Sequence, residues 1–165
     1  LVCEDGALLD DGACFEDFPE LRLVLLPLAP RCQETARELS LAVQRNEEES
    51  VEALLQASVD PDGLGAAIPL MRASARGRRG CAEMLLEARA DVDVAGPNAF
   101  GPLFAAASHG HLDLVCLLLE ARADKDKART DGSTPLLIAA QNGRLDVVRV
   151  LLAAGADKTA GRTDN

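Results

Sequence analysis

The sequence predicts an all-α fold, a solenoid of four helix–turn–helix repeats preceded by a short partial β segment. Two observations favour this fold. The chain matches itself at a period of 33 residues, and each copy contains two short apolar segments separated by a turn. Helices of fewer than about ten residues are marginal alone in water, so each repeat has to bury its apolar side against a neighbouring repeat.

The most regular copy is residues 131–158, DGSTPLLIAAQNGRLDVVRVLLAAGADK. Thr134 is predicted to cap its first helix, and Pro135 follows at the first helical position, where its missing N–H costs nothing. The helix is predicted to end at about Asn142, because Gly143 can adopt the left-handed conformation that closes a helix.

The second helix of this copy is predicted between Leu145 and Ala154, and Gly155 ends it in the same way. Its larger apolar residues recur at helical spacing and are predicted to form one stripe that faces the core. They are Leu145, Val148, Leu151 and Leu152.

Earlier copies are found by moving back along the chain. Residues 100–126 and 133–159 share 14 identities in 27 positions, and residues 69–91 and 102–124 share 11 in 23. The first copy is more divergent and stands 31 residues from the second, which places a two-residue deletion between Asp60 and Pro69. The predicted repeats are about residues 33–60, 64–93, 97–126 and 130–159.

A Thr-Pro-Leu start, a glycine between the two helices and a Leu-Leu-x-x-Gly-Ala-Asp ending characterise residues 134–157. This 33-residue pattern resembles the ankyrin repeat. The resemblance implies an ankyrin repeat domain at residues 31–165.

Two positions depart from the pattern in the middle repeats. Gly101 and Ile68 stand where the fourth repeat has its N-cap threonine, so both lose a cap worth about 1 kcal/mol. Arg89 and Arg122 replace Gly155, and a non-glycine residue in the left-handed conformation costs roughly 1–2 kcal/mol. We therefore expect the middle of the stack to be less stable than its C-terminal repeat.

Residues 1–30 do not follow the repeat. They contain strand candidates at residues 1–3 and 21–26 and a Leu-x-Asp-Gly motif at residues 9–12. This arrangement resembles the C-terminal half of a ubiquitin-like domain. The alternative is an acidic leader whose residues 21–28 pack on the first repeat.

Pro27 and Pro30 are predicted to form a linker that separates this segment from the repeats. A polar end-capping helix is predicted from Gln33 to about Asn46. The acidic run at residues 47–49 is predicted to open the next helix, because the helix dipole favours negative charge there.

Composition excludes several classes of function. The net charge of −10 and the pI of about 4.6 argue against binding to nucleic acid or to an anionic membrane. No apolar run is long enough to cross a bilayer. The five cysteines are odd in number and lack paired spacing, which favours reduced thiols and a cytoplasmic or nuclear location. By alignment, Cys81 should be buried and Cys116 exposed.

The resemblance implies that the turns and the inner helix surface contact a partner. Phe100 is the expected anchor, because aromatic residues contribute disproportionately to interfaces; alternatively it packs on Phe104. The residues carried over from the family pattern are Ala75, Arg76, Pro97, Asn98, Phe100, Ser108, His109, Thr130, Asp131, Ser133, Gln141 and Asn142.

Two polar clusters have a structural and a functional interpretation. Four arginines, Arg72, Arg76, Arg78 and Arg79, could bind an anion, but surface charge is the simpler account. His109 and His111 flank Gly110 without a third ligand nearby, so a structural role is favoured over a metal site.

The sequence contains no nucleotide-binding motif and no assembled catalytic constellation, so we expect no enzyme activity and no cofactor. The predicted function is that of a monomeric, non-catalytic scaffold for protein–protein interaction. The alternative is a regulatory or targeting module of a larger enzyme or of a ubiquitin-pathway adaptor. Asp164 lies where a fifth turn would open, so we also expect the natural chain to be longer at both ends.

Overall fold

The computed structural model describes residues 28–62 and 68–159, which contain eight α-helices, one 3₁₀ turn and no strand. The predicted all-α repeat fold is confirmed for this part of the chain. The two predicted strands of the ubiquitin-like segment lie outside the described residues. The helices are α1 (Leu28–Arg45), α2 (Glu48–Gln56), α3 (Pro69–Arg76), α4 (Arg79–Glu87), α5 (Pro102–His109), α6 (Leu112–Glu120), α7 (Pro135–Gln141) and α8 (Leu145–Ala153), with the 3₁₀ turn at Pro97–Ala99.

The chain divides into two units, Leu1–Glu34 and Thr35–Asn165. Of the first unit the structure describes residues 28–34, which form the start of α1. This helix was predicted to begin at Gln33 but begins at Leu28, so Pro30 lies in its first turn. Proline is tolerated there because the first N–H groups of a helix have no intrahelical partner and no helical carbonyl precedes it.

The helices of the second unit stack in two rows. The first helices of successive repeats, α3, α5 and α7, pack side by side, and so do the second helices, α2, α4, α6 and α8. We call these the inner and the outer helices. The core between the rows is made of leucine, valine and alanine. Its fully buried members include Leu39, Leu70, Leu85, Leu114, Leu118 and Leu151.

Helix α1 and each of the three inner helices are followed by one residue with positive φ. Asn46, Gly77, Gly110 and Gly143 hold this position after α1, α3, α5 and α7, with φ between 63° and 82°. The next residue then donates its backbone N–H to a carbonyl five residues back, as His111 does to Ala106 at 3.0 Å. These bonds satisfy carbonyls that would otherwise lack a partner at the helix end.

The outer helices end in the same way. The equivalent residues are Ser58, Arg89, Arg122 and Gly155, with φ values of 61°, 70°, 67° and 78°. The structure therefore places both middle-repeat arginines in the left-handed conformation that the alignment predicted.

The inner helices of the middle repeats begin without a side-chain cap. Thr134 Oγ1 accepts a hydrogen bond from the N–H of Leu137 at 3.2 Å and is almost fully buried. Gly101 and Ile68 have the same extended backbone but provide no acceptor. The middle repeats therefore lack the N-cap hydrogen bond of the fourth repeat, as the sequence predicted.

The stripe predicted on the last helix was misplaced. Val147 and Leu151 are buried, whereas Leu145 and Leu152 are 67% and 37% exposed. In the third repeat the residue equivalent to Val148 is Val115, which is fully buried. The difference arises because α8 covers one side of α6, while no described helix covers the corresponding side of α8.

A row of carboxylates joins the ends of successive outer helices. Asp62 Oδ1 accepts a hydrogen bond from the N–H of Asp91 at 2.7 Å, and equivalent bonds join Asp93 to Asp124 and Asp126 to Asp157. We call these three bonds the carboxylate ladder. Each one satisfies a backbone donor of one repeat with a side chain of the repeat before it.

Candidate partner-binding surfaces

The predicted partner residues of the turns come together between the third and fourth repeats. Each turn is closed by one backbone bond, from Gly96 N–H to the Phe100 carbonyl at 3.0 Å and from Arg129 N–H to the Ser133 carbonyl at 2.9 Å. The N–H of Thr130 also donates to the carbonyl of Asn98 at 3.1 Å. This bond holds the two turns side by side.

Asn98 is exposed at the tip of its turn. It lies in the 3₁₀ turn after Pro97 and has a φ of 62°, a conformation that asparagine tolerates better than most residues. Its amide group is therefore presented to solvent on a fixed backbone.

Phe100 packs on Phe104. The ring centroids lie 5.1 Å apart with an interplanar angle of 61°, an edge-to-face contact. Phe104 is buried and Phe100 is partly exposed. This contact is the packing on Phe104 that the sequence offered as the alternative to an interface anchor. Part of the Phe100 ring stays exposed, and a partner could contact that part.

Asp131 stabilises the turn at the start of the fourth repeat. Its Oδ1 accepts the N–H of Ser133 at 3.0 Å, and its Oδ2 lies 3.3 Å from Nη1 of Arg129. The backbone and side-chain hydrogen bonds from Ser133, followed by the charge of Arg129, lower the pKa of this carboxyl. Asp131 therefore carries its negative charge at an exposed position.

The second group of predicted residues lies at the C-terminal ends of the inner helices. We call it the inner-helix surface and define it as Ala75, Arg76, Ser108, His109, Gln141 and Asn142. The side chain of Asn142 donates to the carbonyl of Ser108 at 2.9 Å, and Nε2 of His111 lies 3.3 Å from the carbonyl of Ala75. Arg76, His109, Gln141 and Asn142 are exposed.

The two histidines stack face to face, with ring centroids 5.9 Å apart and an interplanar angle of 4°. Nδ1 of His109 lies 2.9 Å from the carbonyl of Ala105. A carbonyl only accepts, so Nδ1 carries the proton and Nε2 remains available. The residues that the structure describes contain no group of three or more side chains able to hold a metal ion.

The four arginines of the second repeat do not form one patch. Arg72 donates to Gln44 of α1 at 2.6 Å, and Arg79 pairs with Glu83 one turn later at 2.7 Å. Arg76 is exposed and makes no hydrogen bond or ion pair with the residues in the described ranges. Arg76 is thus an exposed member of the cluster that is available to another molecule.

Comparison with known protein families agrees with this geometry. Residues 94–162 match a family model described as ankyrin repeats in three copies, and residues 67–97 match a model of the single ankyrin repeat. Residues 67–162 are ankyrin repeats. The search of curated proteins returned no match.

Ankyrin repeats are in general modules for protein–protein interaction, which agrees with the coarse function predicted from the sequence. Neither family match reaches the segment that resembles a ubiquitin-like domain. The pair α1 and α2 lies before the matched residues. It nevertheless closes its turn as the matched ankyrin repeats do, with the N–H of Glu47 donating to the carbonyl of Ala42 at 3.0 Å.

The sequence prediction omitted two residues that support the inner-helix surface of the ankyrin stack. His111 and Arg144 each follow a turn glycine and reach back to the previous repeat, where Nε of Arg144 lies 3.5 Å from the Ser108 carbonyl. Arg144 also occupies the space that a side chain on Gly110 would need. Their shared position, one residue after the glycine, is a signal that could have identified them.

Within the described ranges, none of the helices has both the length and the apolar character needed to cross a membrane.

Proposed function

We propose that this chain is a non-catalytic scaffold that binds a protein partner through its turns and its inner-helix surface. The supporting observation is the distribution of apolar and polar side chains in the repeats. Apolar groups pack between the two rows of helices, while Asn98, Thr130, Arg76, His109 and Gln141 point outward at repeated positions.

The rigidity of these positions also supports the proposal. The bond from Thr130 to Asn98 fixes the two turns, and the bond from Asn142 to Ser108 fixes the ends of two inner helices. Groups that are already held in place lose little conformational entropy on binding, which favours affinity.

We further propose that the chain acts as a monomer in the cytoplasm or nucleus, without a cofactor. Its net charge of −10 would repel nucleic acid and anionic lipid, which leaves protein as the partner class.

The test is affinity capture with the full chain as bait, followed by binding measurements on the captured protein. The site variant combines Asn98→Gly, Thr130→Ala and Gln141→Ala. Glycine at position 98 keeps the left-handed backbone while it removes the amide. The control variant combines Glu87→Ala, Glu120→Ala and Arg149→Ala, three exposed positions on outer helices.

We expect the site variant to lose the partner and the control variant to retain it, with similar melting temperatures for both. Binding that survives in the site variant and is lost in the control variant would show that the interface lies on the outer helices. A catalytic turnover that depends on Cys116 or His109 would contradict the non-catalytic function.

A further inference from the structure

One side of α8 repeats an apolar surface that is covered one repeat earlier. Each of its three large apolar residues is more exposed than the equivalent residue of α6. The reason is that α8 packs on α6, whereas no described helix packs on the corresponding side of α8. The residues are identical in the two helices: they are Leu112, Val115 and Leu119 in α6 and Leu145, Val148 and Leu152 in α8.

The turn glycines show the same contrast. A Cβ atom on Gly77 would lie 2.9 Å from the ring of His111, and one on Gly110 would lie 2.6 Å from Cδ of Arg144. Both of these side chains come from the following repeat. A Cβ atom on Gly143 would have no described atom within 4 Å. The space over Gly143 is therefore open in the described part of the chain.

The two covering side chains are hydrogen-bond donors. Nε2 of His111 lies 3.3 Å from the carbonyl of Ala75, and Nε of Arg144 donates to the carbonyl of Ser108 at 3.5 Å. A carbonyl only accepts, so each contact needs an N–H group from the covering repeat. The equivalent carbonyl of the fourth repeat belongs to Gln141. We call this carbonyl, Gly143 and the three apolar residues of α8 the end surface.

A second copy of this chain does not supply that donor. The helix pair of its first repeat, α1 and α2, would be the one to pack on the end surface, and the residue after the turn of that pair is Glu47. An ionised carboxylate only accepts hydrogen bonds, so Glu47 cannot donate to the carbonyl of Gln141. This mismatch agrees with the monomeric state proposed above and favours a different protein as the occupant.

We infer that the end surface binds a helical hairpin of a partner protein, packed on α7 and α8 as these two helices pack on α5 and α6. The hairpin brings apolar side chains to the three apolar residues of α8. It also places an arginine or histidine over Gly143, where its N–H donates to the carbonyl of Gln141. This inference goes beyond the proposed function, because the apolar residues belong neither to the turns nor to the inner-helix surface.

The probe is a fluorescein-labelled peptide with the sequence of residues 127–159, which contain the helix pair that covers the third repeat. It is titrated with the full chain and followed by fluorescence anisotropy. The chain variants are Leu152→Gln on the end surface and, as the matched control, Leu41→Gln on α1. These leucines are 37% and 46% exposed, and circular dichroism checks that both variants fold.

We expect the peptide to bind the full chain. Leu152→Gln should weaken binding about fivefold because an apolar contact is lost, and Leu41→Gln should leave Kd unchanged. Arg144→Ala in the peptide should also weaken binding about fivefold, because the carbonyl of Gln141 loses its donor. A chain that ends at Thr159 should bind the peptide as tightly as the full chain does.

A tethered version keeps the test decisive if the free peptide does not form its helices. A second copy of residues 127–159 is joined directly after Thr159, which preserves the 33-residue period. Leu152→Gln in the first copy should then lower the urea midpoint more in the fused chain than in the unfused chain, because the added repeat buries this side chain. Leu41→Gln should lower the midpoint equally in both.

Four results would overturn the inference. The first is an equal effect of Leu152→Gln on the urea midpoints of the fused and unfused chains. The second is a peptide that is helical by circular dichroism and does not bind. The third is a dimer of the full chain that Leu152→Gln abolishes, which would assign the end surface to a second copy. The fourth is tighter peptide binding by the chain that ends at Thr159, which would show that residues 160–165 compete for the surface.

The capture experiment is independent of these measurements. Its site variant keeps the backbone carbonyl of Gln141 and the three apolar residues of α8. Loss of the captured partner in that variant together with a failed peptide titration and an unchanged fused chain would therefore contradict the end surface alone.

Discussion

Both carboxylate oxygens of Asp93 lie within hydrogen-bond distance of the backbone N–H of Asp124, at 3.0 and 3.2 Å. The two residues belong to consecutive repeats and carry the same negative charge. Their contact nevertheless stabilises the stack, because the donor is the peptide N–H of Asp124 and not its side chain. A charged acceptor strengthens such a bond.

Replacing Asp93 by alanine should therefore destabilise the chain by about 1–2 kcal/mol, since the N–H of Asp124 loses its acceptor. Asp93→Asn should cost less, because the amide oxygen can still accept. The measurement is urea denaturation followed by circular dichroism. Glu87→Ala removes the same charge from an exposed outer helix and should have little effect. Equal destabilisation by the Asp93 and Glu87 changes would show that charge and not the bond matters.

Replacing Arg122 by glycine should stabilise the folded chain. Its φ of 67° suits glycine, so Arg122→Gly should raise the free energy of unfolding by about 1 kcal/mol. Arg122→Ala serves as the control, because it removes the guanidinium and keeps the unfavourable backbone. A gain in the alanine variant equal to that in the glycine variant would assign the effect to charge. Thermal unfolding of the three chains gives the comparison.

Leu151 and Leu152 are neighbours in α8 with opposite environments. Leu151 is fully buried and Leu152 is 37% exposed. Leu151→Ala should destabilise the chain by about 2–5 kcal/mol, the usual cost of a large-to-small change in a core. Leu152→Ala should cost less than about 1 kcal/mol. Similar losses in the two variants would mean that the outer side of α8 is covered in solution.

Cys81 and Cys116 should differ in reactivity. Burial, followed by the charge of Glu48, raises the pKa of the Cys81 thiol, whereas Cys116 is partly exposed. The thiolate is the reactive form, so iodoacetamide at pH 8 should modify Cys116 before Cys81. Peptide mass spectrometry assigns each site, and both thiols should react at similar rates in urea. Faster modification of Cys81 in the folded chain would contradict its burial.

The raised pKa of Cys81 also predicts how stability depends on pH. The folded chain holds this proton more tightly than the unfolded chain does. The associated stability is fully present below the ordinary thiol pKa of about 8.5 and is lost as pH rises through the folded pKa. Cys81→Val, which copies Val147 of the fourth repeat, should reduce the fall in stability above pH 8.5. An unchanged fall would assign it to other groups.

The sequence predicted the helices of the fourth repeat almost to the residue, because Pro135, Gly143 and Gly155 mark their ends. It also located Cys81 in the core through its alignment with Val147. Cys116 aligns with exposed Arg149 and is only partly exposed, because α6 has an outer helix on each side, whereas among the described helices α8 has one on a single side. Alignment predicts which position a residue occupies in its repeat. It does not predict how many neighbouring helices cover that position in the last described repeat.

Contacts between repeats were harder to predict. The carboxylate ladder joins a side chain to a backbone donor about thirty residues away, and an Asp-x-Asp pair in a solvated turn has no distinctive sequence signal. Phe100 had two interpretations for a similar reason, since the sequence does not show how close the ring lies to Phe104. Which turn residues a partner touches remains a prediction.

The carboxylate ladder has a consequence for how such a protein can be altered. The sequence is two residues shorter between Asp60 and Pro69 than at the equivalent place in later repeats, yet Asp62 still accepts the N–H of Asp91 at 2.7 Å. The contact between the ends of these two outer helices is thus kept although the sequence between them is two residues shorter. The length between two repeats can therefore differ by two residues while the carboxylate ladder continues from one outer-helix end to the next.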